Sequence, residues 1–363
     1  MTKKKDNYDE CERQPKNESL LTGSSRNPVS EYFNYRINNL RRSRASSKGK
    51  DIRRSESKNR HFFIEQVTGT TSGRERIVKS SVGKLTITDR QAKKLELKPY
   101  SQISPLLEKN CLLLGANESF QSAEQDIKAL TGIEVSHSTF QRLVQRQEFE
   151  EPQAIQGVSE ASIDGGKVRI RSQVQGVESY WRDYKAVRLQ GIYYGAFFQD
   201  NLSLSDWVNS QRLLFPLVCL GDGHDGVWNL FAEIGSTEMR QEILDWYHLK
   251  ENLYKVGGSI KRLKVAEKLL WQGQAELAIA LFVDLKKKPA INFIAYLKKH
   301  SARIINYEYF SQSGFCSIGS GAVESAVKQI GRRMKISDAQ WKLENIPRML
   351  QLRAAYLNGQ LTA

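Results

Sequence analysis

Cysteine is scarce in this chain, and what there is lies scattered. Cys11, Cys111, Cys219 and Cys316 form no CxxC pair, so no zinc finger is visible and no disulfide framework is suggested. Cys219 stands in an apolar run and reads as a core residue. Long hydrophobic stretches are also lacking. The longest, around Leu213 to Leu220, falls far short of the roughly 20 residues that span a bilayer. The polar start from Met1 to Glu12 lacks the apolar segment of a signal peptide. These absences lead to the expectation of a soluble, cytoplasmic protein kept in a reducing compartment. Acidic residues are in deficit, with 40 Asp and Glu against 55 Lys and Arg, a formal charge of +15. Such a balance suits a polyanionic partner, nucleic acid above all, although a basic surface that merely keeps the chain soluble would read the same.

What is present begins with a basic arm. Residues 1–60 are rich in Lys, Arg, Ser and Asn, with ten cations from Arg36 to Arg60 against Asp51 and Glu56, and predict a disordered segment. Residues 61–152 read as a helical, DNA-binding N-terminal region. Within it, residues 119–147 give a helix, a break at Thr131-Gly132, a cap at Ser136 and a second helix. That is a helix-turn-helix pattern, or an ordinary helical hairpin. Its outward Ser138, Thr139, Gln141 and Arg142 suit phosphates and base edges.

From residue 153 the reading changes to a mixed α/β sheet. A strand over Ala161–Ile170, interrupted at Asp164-Gly165-Gly166, is followed by strands over Tyr180–Leu189 and Ile192–Phe198. A helix over Leu204–Leu214 leads to the buried strand Leu217–Leu220, then a helix over Gly226–Ile234 and a strand over Glu242–Tyr247. Residues 259–307 predict an all-helical insertion, dividing a core begun at 153–258 from a last part, 308–363, whose first helix follows Gly319-Ser320-Gly321.

Three acids fall where such a sheet builds a site: Asp164 in the first strand, Asp222 at the carboxyl end of the buried strand, and Glu324 in the first turn of the last long helix. Carboxylates in that number suit Mg²⁺, which takes oxygen ligands and leaves positions for phosphate. Two such ions about 4 Å apart stabilise both the attacking and the leaving oxygen of a phosphodiester. Asp225 is a rival for the middle position, or else the cap of the helix that begins there. On the last helix Val323, Val327, Ile330 and Met334 form a predicted buried stripe. Lys328, Arg332, Arg333 and Lys335 are candidates for DNA contact, against a plain Glu–Lys helical pair. Gly331 suggests a kink or a close approach of DNA. His248 reads as structural or as support of the site. Trp181 reads as core, Lys185 as a phosphate contact, and Trp341 as core or as a stacking platform.

Ser162-Ile163-Asp164-Gly165, Gly221-Asp222-Gly223-His224-Asp225-Gly226-Val227-Trp228 and Gly319-Ser320-Gly321-Ala322-Val323-Glu324-Ser325 resemble the DDE transposases of bacterial insertion sequences. Leu244–Leu253, Arg332-Arg333-Met334-Lys335, Trp341 and Leu352-Arg353-Ala354 add to the likeness, which is greatest to the Kra-type family and covers roughly residues 158–358. It implies a ribonuclease-H-like core with a helical insertion, and Asp164, Asp222 and Glu324 as ligands of Mg²⁺ or Mn²⁺, two ions in all. It further implies DNA cleavage and strand transfer at terminal inverted repeats, with double-stranded DNA as partner, a homo-oligomer on that DNA, and location at the nucleoid. Many relatives have a small residue soon after the second Asp-Gly, where this chain has His224-Asp225, and that departure keeps Asp225 in view. A catalytically inactive DNA-binding derivative and a ribonuclease-H-like nuclease or resolvase are the other readings.

Overall fold

The computed structural model describes residues 61–319 and 321–361, without the side chains of residues 322–324. The basic arm, Cys11, Ser320 and the side chains of Val323 and Glu324 thus lie outside the described residues. Strands β1 (Glu75–Ser80) and β2 (Gly83–Thr88) form a two-stranded sheet. The described residues divide into two compact units, one running to Arg76 and resuming over Leu85–Lys98, the other made of Ile77–Lys84 and the described residues from Pro99 onward. In the smaller unit, helix α1 (Asp89–Lys94) starts at a reciprocal cap: Gln91 N–H donates to the Thr88 hydroxyl, and Thr88 N–H to the Gln91 side chain.

The larger unit opens with three helices, α2 (Pro105–Gly115), α3 (Phe120–Thr131) and α4 (His137–Arg146). Gly132 ends α3 in the left-handed region (φ 71°), where a residue without a Cβ is favoured. Ser136 takes the cap position of α4 but makes no side-chain bond to its amides; its hydroxyl instead meets those of Ser138 and Thr139.

A mixed sheet of five strands follows, in the order β5-β4-β3-β6-β7. They are β3 (Val158–Ile170), β4 (Tyr180–Leu189), β5 (Tyr193–Phe197), β6 (Leu213–Gly221) and β7 (Arg240–Leu244). The first three run antiparallel, and β6 and β7 lie parallel to β3. Short connections suffice for the antiparallel strands, whereas the parallel ones need the crossover helices α5 (Asn201–Asn209) and α6 (Asp225–Ala232). Helices α7 (Trp246–Lys255), α8 (Ile260–Trp271), α9 (Ala275–Ala280), α10 (Lys288–Lys299) and α11 (Tyr307–Ser313) follow β7. Two more, α12 (Gly321–Met334) and α13 (Ile346–Leu357), complete the chain. None of the described helices is long and apolar enough to cross a membrane.

Three expectations need correction. Gly165 and Gly166 do not interrupt β3, which stays in register with β4 from Ala161 to Ile170; Gly166 gives its space to the Tyr184 ring across the pair. The helix expected to reach Leu214 ends at Asn209, and Leu213 and Leu214 already belong to β6. The last parallel strand stops at Leu244, because the Asp245 carboxylate accepts the His248 N–H at 2.7 Å and starts α7 there.

Two cores lie on the two faces of the sheet. Ala161, Ile163, Val187 and Leu220 pack with α5, α6 and the helices after β7. Val168, Ile170, Tyr184 and Ala186 pack with α2–α4 and with Ile330, Met334 and Leu350 of α12 and α13. Alternation along β3 sends successive side chains to these opposite sides.

Candidate active site

Asp164 and Asp222 are neighbours because of strand register. Ile163 of β3 pairs with Gly221 of β6 in parallel, so the two aspartates come one residue later on strands about 4.8 Å apart. Gly221 faces α6 at close range, where a Cβ would stand 2.8 Å from Val227 Cγ1. Asp164 lies on the other side, that of Gly166 and Tyr184, and its charge together with burial raises the Tyr184 hydroxyl above its ordinary range, burial being the larger cause. Asp164 Oδ1 accepts the N–H of Gly165 at 2.6 Å, and Asp222 Oδ1 accepts that of His224 at 2.9 Å. Each contact fixes a carboxylate next to its own backbone.

The residues after Asp222 do not take the expected roles. His224, not Asp225, caps α6, its Nδ1 accepting the Gly226 N–H at 3.2 Å. Asp225 sits in the first turn, 2.5 Å from Lys299 Nζ of α10. That hydrogen bond, more than the remaining charges, keeps its carboxyl below the usual carboxylate range.

A third acid joins directly after β7. Asp245 N–H donates to Gly221 O at 2.8 Å, and its side chain is 1% exposed. Besides capping α7, its Oδ1 lies 3.3 Å from His248 Nδ1. Contact with Asp245 pushes His248 up to about 9 against the opposing effect of burial, and the charges of Asp245, Asp222 and Asp164 add to it. At neutral pH His248 is therefore an imidazolium among three carboxylates. The sequence marked His248 as structural or as support of the site, but not its electrostatic link to Asp245, Asp164 and Asp222.

Glu324 belongs to the first turn of α12. The entry to that helix is tied to the same sheet end, for Trp246 N–H donates to Ile318 O at 3.1 Å and Gly319 packs on the Tyr247 ring. Further along, the Tyr184 hydroxyl donates to Val327 O at 3.3 Å. Gly331 is buried beside that hydroxyl, so a protein side chain, and not DNA, occupies the space it leaves. Of the expected stripe, Ile330 and Met334 are fully buried and Val327 partly so, and Ala326 beside them is buried as well.

The cationic set divides. Lys328, Arg332 and Lys335 are exposed. Arg333 is not: at 3% exposure it donates to Gly115 O at 2.7 Å and lies 5.2 Å from the ring centres of Phe120 and Trp341. Burial, then Arg353, lowers it to about 10, and it stays charged. Arg353 reaches Ala116 O at 3.1 Å, so two guanidinium groups serve the carbonyls at the end of α2, which a helix leaves without partners. Trp341 is a packing residue, donating from Nε1 to Met334 O at 2.8 Å. Lys185 pairs with Gly165 on the sheet face opposite Asp164, its Nζ 3.8 Å from where a Cβ on Gly226 would stand. On α4, Ser138, Gln141 and Arg142 are exposed and Thr139 is half-buried. Trp181, expected in the core, is 49% exposed.

Among the described residues no three His, Cys, Asp or Glu side chains form a group that could hold a metal ion. The side chain of Glu324 is not among them. The donors on hand, Asp164 and Asp222, are hard carboxylate oxygens suited to Mg²⁺ rather than to a soft metal. No protein-family model matches the chain, and no curated protein matches it.

Proposed function

We propose that this chain is a DDE transposase that cuts and joins DNA at the terminal inverted repeats of an insertion sequence. The observation that carries the reading is the juxtaposition of Asp164, inside β3, and Asp222, directly after the end of the parallel strand β6, beside the docked entry to the helix that bears Glu324. A sheet of three antiparallel strands continued by two parallel ones agrees with a ribonuclease-H-like core. The helices α8–α10 agree with the insertion that the resemblance implies, and α3 and α4 agree with a helix-turn-helix that exposes Ser138, Gln141 and Arg142 and leaves Thr139 half-buried.

Asp164, Asp222 and Glu324 would hold two Mg²⁺ or Mn²⁺ ions. When bound, the ions polarise the scissile phosphate and stabilise the attacking and leaving oxygens. Asp222 rather than Asp225 is the middle ligand, since Asp225 is engaged by Lys299 while Asp222 follows the buried strand. His248 sets a positive charge against Asp245, on the side of the two candidate ligands. Lys328, Arg332 and Lys335 provide charge for the DNA backbone, and phosphate contacts of this kind position the duplex without reading its sequence. Joining two ends calls for at least two copies on the DNA. The test uses DNA carrying the terminal repeats of the element, with Mg²⁺ or EDTA. Cleavage in Mg²⁺ that is lost with EDTA and with Glu324→Gln is expected; unchanged cutting by that variant would sink the assignment.

A further inference from the structure

The exposed Trp181 belongs to a part of the sheet that its neighbours do not reach. β6 accompanies β3 only as far as Ile163, and β5 accompanies β4 only from Lys185 onward. Residues 166–170 and 180–184 therefore continue as a two-stranded ribbon, with a single bridge from Ile170 to Trp341 at its tip. One face of the ribbon carries Gly166, Val168, Ile170 and Tyr184, all buried, with Arg182 and Tyr180 exposed toward its tip. Alternation gives the other face Lys167, Arg169, Trp181, Asp183 and Lys185. Of these, Lys167, Trp181 and Asp183 are exposed and the two others half-buried. Arg169 stands across from Trp181 and is steadied by its Nε donating to Ser179 Oγ at 2.5 Å. Lys335 Nζ lies 5.9 Å from the Trp181 ring centre.

A lone exposed apolar side chain is ordinary. This one is an indole set among four cations and one acid, on a β3–β4 ribbon whose inner end carries Asp164, paired there with Ala186. Cations two residues apart recur about every 6.6 Å along the ribbon, and an aromatic plane among them offers a stacking surface for any base whose face is open. We propose that this outward face binds a DNA single strand leaving the candidate active site, with Trp181 stacking on an unpaired base and Lys185, Lys167 and Arg169 meeting successive phosphates. The inference rests on the reading above only in taking DNA as the polyanion. It adds a substrate feature, an unpaired segment, and a surface distinct from α4 that adjoins the cations of α12 through Lys335.

The test is equilibrium binding by the full-length protein in EDTA, where cleavage plays no part. Three labelled probes are compared: a blunt duplex, the same duplex with a thymidine tail, and one with an abasic tail. Wild type is expected to prefer the thymidine tail. Trp181→Ala should weaken binding of that probe about tenfold, the scale of one lost base–aromatic stack, and change the other two by no more than about twofold. Trp181→Phe should recover most of the loss. Joint replacement of Lys167 and Arg169 by Ser should flatten the salt dependence for tailed DNA by about 0.7 per cation removed. No preference for the tail, or a Trp181→Ala effect that is absent or equal on all three probes, would overturn the proposal. Because cleavage is not read, loss of tail binding without any cutting in Mg²⁺ leaves this surface standing while the transposase reading falls, and the reverse pattern separates them the other way.

Discussion

The ring of Tyr296, in α10, rests on Gly223, the residue after Asp222, so closely that a Cβ there would stand 2.7 Å from the tyrosine hydroxyl. Two residues after Gly223, Asp225 is held by Lys299 of α10. Beyond it His300, 1% exposed, lies with its ring centre 4.8 Å from that of Tyr296 and 6.2 Å from that of Trp228 in α6. The helices after β7 thus grip the loop that carries the candidate middle ligand on both sides of its turn.

Gly223→Ala forces the Tyr296 ring aside or moves the loop, and overpacking of this kind typically costs about 1–3 kcal/mol. The expected result is a lower melting temperature and a cleavage rate reduced at least about tenfold, since a misplacement of about 1 Å can cost a hundredfold. Tyr296→Ala removes the obstacle, so Gly223→Ala should cost less in that background than alone. A double-mutant cycle with no coupling would refute the contact's importance.

Asp222 and Asp225 are separable by substitution to Asn. Asp222→Asn is expected to abolish Mg²⁺-dependent cleavage while leaving the fold intact by circular dichroism. Asp225→Asn loses an exposed ion pair with Lys299 and should retain most activity, because exposed pairs contribute little. The opposite pattern of cleavage rates would make Asp225 the ligand.

Arg333 and Arg332 are adjacent in sequence and should behave as opposites. Arg333→Leu strips Gly115 O of its buried charged donor and removes two ring contacts, a loss of about 2–4 kcal/mol in urea unfolding. Arg332→Ser should leave stability nearly unchanged and flatten the salt dependence of duplex binding by about 0.9, the value of one released phosphate contact. Equal unfolding midpoints for the two variants would contradict this division.

The acid pair was legible because two local signals converge on it. A short apolar run marks Leu217–Leu220 as a strand buried on both faces, and an acid directly after it stands at the strand's end. Arg333 was not legible: among Arg332-Arg333-Met334-Lys335 the letters alike are basic, and only the path of α2 shows which one is covered. Trp181 was misjudged for a related reason. Its strand reads as an interior one, and nothing local reveals that β6 stops beside Ile163 and leaves the ribbon bare. The cap of α6 escaped because His is outside the usual set of capping side chains, whereas Asp225 is in it. The glycines of β3 looked like a break because their partner, the Tyr184 ring, comes from another strand.

His248 gives the fold a measurable pH dependence. Its pKa of about 9 in the folded chain exceeds the ordinary value of 6.5, so the folded state holds this proton more tightly than the unfolded one. The stabilisation is complete below pH 6.5, declines as pH rises beyond it, and is gone above about 9. His300 acts in the other direction. Burial first, then Arg303 and Lys299, lowers its pKa, so its contribution is intact above pH 6.5 and is lost as pH falls below that value. Urea unfolding in EDTA from pH 5 to 10 should therefore show stability falling toward both ends. His248→Gln should flatten the alkaline slope and leave the acid one. Parallel curves for wild type and variant above pH 6.5 would mean that Asp245 and the two candidate ligands do not hold the imidazolium in place.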